Sequence, residues 1–211
     1  MLKITEIFHS LQGEARDAGK PTVFIRLTGC PLRCVYCDSE YAFYGGEWTH
    51  FDEILEVTAS YGTKNVCVTG GEPLAQKRCL ELLERLCDRD YQVSLETSGA
   101  IDVSEVDHRV SRVVDIKTPD SGESERNLWA NLGCLTAHDQ LKFVICSRED
   151  YTWSVAEVRS RHLENKFEIL FSPAWGQVNP TELAEWVLQD RLNVRVQLQL
   201  HKLLWGDVPG K

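Results

Sequence analysis

The chain has 211 residues, 43% hydrophobic and 26% charged, which is the make-up of a folded domain with a sizeable core rather than of a disordered segment. A net charge of −9 repels phosphate backbones and argues against direct nucleic-acid binding, and no run reaches the roughly eighteen apolar residues of a membrane span. The opening MLKITEIFHSLQGEA lacks the apolar core of a signal peptide, which points to the cytoplasm, where eight cysteines stay reduced and suit metal ligation or core packing better than disulfides.

In chain order, near-alternation of β-branched and aromatic residues predicts strands over 3–8 and 22–28. Ile54, Leu55 and Val57 give helical spacing over 51–62, with Thr49 as N-cap. The apolar run 64–71 ends in two glycines and reads as a strand. A helix over 76–90 follows, with Cys79, Leu82, Leu83, Leu86 and Cys87 on one face. Further strands are predicted over 92–97, 112–118, 140–146, 167–172 and 193–200, and helices over 150–163 and 180–190. The stretch 119–138 reads as loop with a short helix. Repeated strand-then-helix units predict an α/β fold with a parallel sheet and helices packed on it, as one domain over 1–211.

Polar or glycine-bearing motifs stand at the carboxyl ends of these strands: the cysteine loop, TGGEP, ETSG, DIKTP, FSPAW and QLHK. In parallel sheets and barrels sites are built on that edge, so the layout is that of an enzyme. The densest motif is LTGCPLRCVYCD, where Cys30, Cys34 and Cys37 follow C-x3-C-x2-C. A structural zinc site would need a fourth ligand, such as His50 or Cys67, and normally a second paired knuckle, which is missing here. A [4Fe–4S] cluster held by three thiolates, with one iron open to a ligand, suits the spacing better.

With Tyr36 before the third cysteine, the motif resembles the signature of the radical S-adenosylmethionine (SAM) superfamily, C-x3-C-x-aromatic-C, and TGGEP matches its GGEP motif. The wider pattern narrows the resemblance. SLQGE, then RLTGCPLRCVYCDS, then TGGEP, ETSG, DIKTP and the closing QLHK are similar in order and spacing to the 7-carboxy-7-deazaguanine synthase family over nearly the whole chain. The resemblance implies an incomplete TIM-like barrel of the radical SAM type, with strands inside and helices outside. It also implies a lyase that contracts the ring of 6-carboxy-5,6,7,8-tetrahydropterin to 7-carboxy-7-deazaguanine, releasing ammonia, in 7-deazapurine (queuosine) biosynthesis. SAM would be regenerated, Mg²⁺ would assist, a flavodoxin or ferredoxin would supply electrons, and the chain would form a homodimer.

Residue by residue, the resemblance assigns the cluster to Cys30, Cys34 and Cys37. Substrate contacts would come from Leu11, Gln12, Gly13, Arg26, Thr69 and His201, with the planar fork of Arg26 facing the substrate carboxylate. SAM contacts would come from Tyr36, Cys37, Asp38, Gly71, Glu96, Ser98, Lys117, Thr118, Pro119, Ser172 and Trp175. The family's CDT is CDS here, so Mg²⁺ would fall to Ser39, which keeps the hard oxygen. Where the family often has QGEG this chain has QGEA, which predicts that the loop at Ala15 avoids positive φ. Two alternatives stand beside this reading. One is a glycyl-radical-enzyme activase acting on a protein backbone; the other is a non-catalytic zinc module.

Overall fold

The computed structural model describes residues 1–206, 208 and 210. Nine strands form one sheet, in the order β3-β1-β2-β4-β5-β6-β7-β8-β9. They are β1 Leu2–Leu11, β2 Pro21–Leu27, β3 Glu47–Thr49, β4 Asn65–Gly70, β5 Gln92–Thr97, β6 Ser111–Ile116, β7 Gln140–Ile145, β8 Glu168–Pro173 and β9 Arg195–Val196. From β2 to β9 all pairings are parallel; β1 runs antiparallel to both β2 and β3 at one edge. The mostly parallel sheet with outer helices is the partial barrel that the motif order predicts.

The helices are α1 Phe51–Ser60, α2 Cys79–Cys87, α3 Arg148–Ser160, α4 Pro180–Gln189 and α5 Leu200–Trp205. Helix α5 lies beside the cavity on one side of the sheet, and the first four, α1 to α4, cover the opposite face. Val23, Ile25, Leu27, Val66 and Val68 pack there against Ile54, Leu55, Leu82, Leu83 and Leu86 of α1 and α2. Further along, Leu141, Phe143, Ile169 and Phe171 meet Tyr151, Val155, Val158, Leu183 and Val187 of α3 and α4. Because side chains alternate along a strand, the residues between these apolar ones all face the opposite side. That concave side receives Arg26, Thr69, Glu96, Asp115, Lys142 and Ser172.

Helix starts follow their chemistry. The Asp150 amide donates to the Ser147 hydroxyl at 3.1 Å ahead of α3, and the Thr181 amide donates to Asn179 at 2.9 Å beside Pro180 in α4. Several expectations are corrected. Thr49 ends β3, and His50 stands at the N-cap of α1 without a side-chain cap bond. The helix expected over 76–90 starts at Cys79, because Pro73–Ala75 forms a separate 3₁₀ turn. Between 119 and 138 there are three short 3₁₀ turns and no α-helix.

The strand expected over 193–200 shrinks to two residues. Beyond Val196 the Gln197 side chain is drawn to Ala15 N (2.8 Å) and Ser172 Oγ (2.9 Å), and the chain turns into α5. Ala15 itself has φ +63°, against the expectation for QGEA. Its amide donates to Gln197 and that of Arg16 to Gln140 Oε1 (3.0 Å), which holds the loop in this conformation, while the Ala15 methyl packs on Val113 and Leu170.

Candidate active site

The concave face and the loops above it enclose a cavity of about 580 Å³, within the usual range for small-molecule sites. The three cysteines stand on the loop that leaves β2. Two glycines at the end of β4 make room for that loop. A Cβ at Gly70 would lie 2.4 Å from the Leu27 carbonyl oxygen, and one at Gly71 would lie 2.4 Å from the Gly29 oxygen and 2.7 Å from Cys30 Cβ. The glycines of TGGEP thus let β4 close against the backbone of the cysteine loop.

The next residue, Glu72, is fully buried and ties this turn to the end of β5. It accepts bonds from Leu74 N (2.9 Å), Thr97 Oγ1 (2.9 Å), Ser98 N (2.7 Å) and the Ser98 hydroxyl. Two motifs that looked separate are one clamp.

The cavity floor is polar. Arg26, paired in register with Thr69, donates through Nε to Glu6 Oε1 at 2.7 Å, and its guanidinium lies 5.8 Å from the Phe8 ring centroid and 5.6 Å from that of Tyr41. Thr69 donates to Glu96 Oε2 at 3.2 Å. Burial pushes the Glu96 carboxyl up, against the opposing pull of Lys142 and Arg26. Asp115 lies 3.0 Å from Lys117 Nζ and 3.7 Å from Lys142 Nζ, and Lys142 also meets Glu14 at 3.0 Å. Burial works to lower both lysines, but these carboxylates override it and the ammoniums stay charged.

The C-terminal helix closes one side. Leu200 N donates to the Gly13 carbonyl at 3.0 Å, and His201 packs so closely that a Cβ at Gly13 would fall 2.1 Å from Nδ1. Burial lowers the His201 pKa, which favours the neutral imidazole at pH 7. Gln199 bridges Glu14 Oε1 (2.9 Å) and Asp38 Oδ2 (3.1 Å), while Lys202 reaches Asp38 at 3.2 Å. Partial desolvation at the cavity rim disfavours the Asp38 carboxylate, yet Lys202 and Gln199 outweigh it and hold the pKa down at about 2.

Of the residues singled out in sequence, Leu11, Gln12, Gly13, Arg26, Cys30, Cys34, Tyr36, Cys37, Asp38, Ser39, Thr69, Gly71, Glu96, Ser98, Lys117, Ser172, Trp175 and His201 all line this cavity. Thr118 and Pro119 do not. Thr118 is fully buried and donates to Val144 O and Asp150 Oδ2, both at 2.9 Å; it locks the DIKTP loop onto the start of α3. Glu14, Asp115, Gln199 and Lys202, which lie in the SLQGE, DIKTP and QLHK motifs but were given no role of their own, also line the cavity, and Lys142 lines it from outside any motif. A signal existed for Lys142: a lone cation inside the apolar run QLKFVI has to face something polar.

The residues fit a [4Fe–4S] cluster with SAM. All three cysteines are free and half-buried. Burial raises the Cys34 thiol to about 11, so iron binding has to displace its proton. Two buried atoms of the cavity wall, Tyr36 Oη and Asp115 Oδ1, have no partner among the described residues and match a polar ligand. Ser39 donates to Asp38 Oδ1 at 2.9 Å, and this hydroxyl beside a carboxylate offers the hard oxygens that Mg²⁺ takes.

A profile of the Radical SAM superfamily matches residues 24–121. A 7-carboxy-7-deazaguanine synthase of Chlorobaculum tepidum is 44% identical over 97% of this chain and 94% of its own length. One of Koribacter versatilis is 45% identical over 97% of each. Among solved structures, QueE from Escherichia coli superposes with a TM-score of 0.76 at 24% identity, covering 95% of this chain and 94% of that one, a likeness of fold. With a signature loop, a GGEP turn and full-length relatives in agreement, the chain belongs to the 7-carboxy-7-deazaguanine synthase family of the radical SAM superfamily.

Proposed function

We propose that the chain, acting as one domain, converts 6-carboxy-5,6,7,8-tetrahydropterin to 7-carboxy-7-deazaguanine with loss of ammonia. The observation that supports this most is the convergence of the three thiols, the GGEP turn and a polar floor on one cavity. When bound by this cavity, the cluster and SAM would supply the radical chemistry that removes a hydrogen from the substrate. The chain's own task is to hold the two molecules side by side and exclude water.

In this reading Cys30, Cys34 and Cys37 hold the cluster. Tyr36, Asp38, Gly71, Lys117, Ser172 and Trp175 bind SAM, and Glu96 and Ser98 border it. Leu11, Gln12 and Gly13 present backbone groups and an amide to the flat pterin edge. Arg26, steadied by Glu6, faces the substrate carboxylate, Thr69 supports the ring, and neutral His201 completes the wall. Ser39 binds Mg²⁺. Electrons arrive from a flavodoxin- or ferredoxin-type protein in the cytoplasm, and two copies of the chain associate. Among the described residues no helix is long and apolar enough to cross a membrane.

The test is anaerobic reconstitution with iron and sulfide, then incubation with dithionite, SAM, Mg²⁺ and the tetrahydropterin. The expected result is 7-carboxy-7-deazaguanine by mass spectrometry. Cleavage of SAM to 5′-deoxyadenosine with the pterin untouched would overturn the substrate assignment.

A further inference from the structure

Arg33 stands between the first two cysteines, is exposed, and has no role in the assignments above. A long cation at the surface ordinarily samples many rotamers. This one is held on several sides. Nη1 donates to the carbonyls of Cys30 (2.8 Å) and Leu32 (2.6 Å), and Nη2 to the Tyr44 hydroxyl (3.2 Å). The guanidinium lies 4.3 Å from the Phe43 ring centroid and 5.8 Å from that of Tyr44. The Arg33 amide donates to Glu123 Oε1 at 2.6 Å, and the Val35 amide to Ser121 O at 3.0 Å.

Two consequences follow. Carbonyls of Cys30 and Leu32 converge on one nitrogen, so the loop curls around the guanidinium, and that curl aims the flanking thiols. A lysine could match the charge but not the planar, stacked fork. Secondly, the cation is fixed beside residues that carry an anionic cluster. Adding an electron makes that cluster more negative, so a fixed positive charge favours the reduced form. Solvent screens an exposed charge, so the effect is modest.

We infer that Arg33 is a positioning residue of the cluster loop whose fixed charge also eases one-electron reduction of the cluster. This rests on the cluster assignment and not on the identity of the substrate. The test uses the full chain without substrate, as wild type, Arg33→Gln and Arg33→Lys, each reconstituted anaerobically. Iron release to a chelator reports the positioning, and a redox titration followed by the paramagnetic signal of the reduced cluster reports the charge.

Arg33→Gln is expected to show a reduced fraction about threefold lower at a fixed poise. Arg33→Lys is expected to keep the wild-type potential but to lose iron about threefold faster, because the fork is gone. An unchanged potential in Arg33→Gln, or wild-type iron retention in Arg33→Lys, would overturn the inference. If Arg33→Gln takes up no cluster, loading of Arg33→Lys at the wild-type potential supports it and a shifted potential there overturns it. A wild-type chain that takes up no iron would strike at the cofactor assignment instead.

Discussion

Strand β6 carries charge near both ends, and the two ends are built in opposite ways. At its start Arg112 donates to Asp139 through Nε (2.9 Å) and Nη2 (2.7 Å), and reaches the carbonyls of Val103 (3.4 Å) and Cys134 (3.1 Å). Asp139 also accepts from Arg112 N (2.9 Å), Thr136 N (2.8 Å) and Thr136 Oγ1 (3.2 Å). That pair is saturated and lies away from the cavity. At the far end Asp115 is shared between Lys117 and Lys142, leaves Oδ1 without a partner among the described residues, and opens on the cavity. A saturated buried pair has nothing left to offer a ligand. An unsaturated one is incomplete until something binds.

The comparison can be tested from both ends. The largest effect belongs to the cavity end: Cys34→Ala should reduce product formation to background, while the iron-free protein unfolds in urea within about 1 kcal/mol of wild type. Asp139→Asn should do the reverse. It leaves a buried guanidinium uncompensated and should cost about 3–5 kcal/mol in urea at pH 7, with turnover per folded molecule unchanged.

The same variant has a pH signature. Burial tends to raise the Asp139 carboxyl, but Arg112 and Thr136 override it and hold its pKa below the ordinary range. A depressed carboxylate stabilises the fold above its unfolded value of roughly 3.9 and loses that contribution as pH falls through the folded value. The deficit of Asp139→Asn should therefore stay constant from pH 7 to about 4 and narrow below that; a deficit that grows in acid would refute the assignment.

Asp115→Asn should be milder. Stability should change by less than about 1 kcal/mol, while SAM affinity measured by calorimetry falls about tenfold, equivalent to ~1.4 kcal/mol. Destabilisation as large as that of Asp139→Asn would erase the contrast between the ends. The smallest effect is expected for Ala15→Gly. Relief of a left-handed alanine, of about 1 kcal/mol, is offset by the lost methyl contact of about 0.8 kcal/mol. The thermal midpoint should hardly move.

Much of this was legible in the residues. Near-alternation placed β1 and β2, the apolar run before two glycines placed β4, and motifs at the strand ends located the site edge. What escaped notice shares one cause: local pattern does not say which partner a polar group finds. Thr118 sits in a motif at the site edge yet spends its hydroxyl on Asp150. The residues from 193 to 200 alternate like a strand, but Gln197 and Gln199 bond to the Ala15 amide and to Glu14 and Asp38, contacts more than a hundred residues away in sequence. Ala15 takes positive φ because Gln197 and Gln140 hold adjacent amides, a constraint no short window contains.

The close approaches at Gly13, Gly70 and Gly71 have a consequence for reading a saturation-mutagenesis library. These three positions would be depleted of variants as strongly as the cysteines, though no side chain there does any chemistry. The pattern of loss separates the cases. At Gly71 even alanine should fail, because backbone atoms already occupy the space. At Asp115 tolerance should follow charge and hydrogen-bonding capacity instead of volume. Under selection for the reaction, depletion profiles sorted by size or by polarity would thus separate positions limited by space from positions limited by charge.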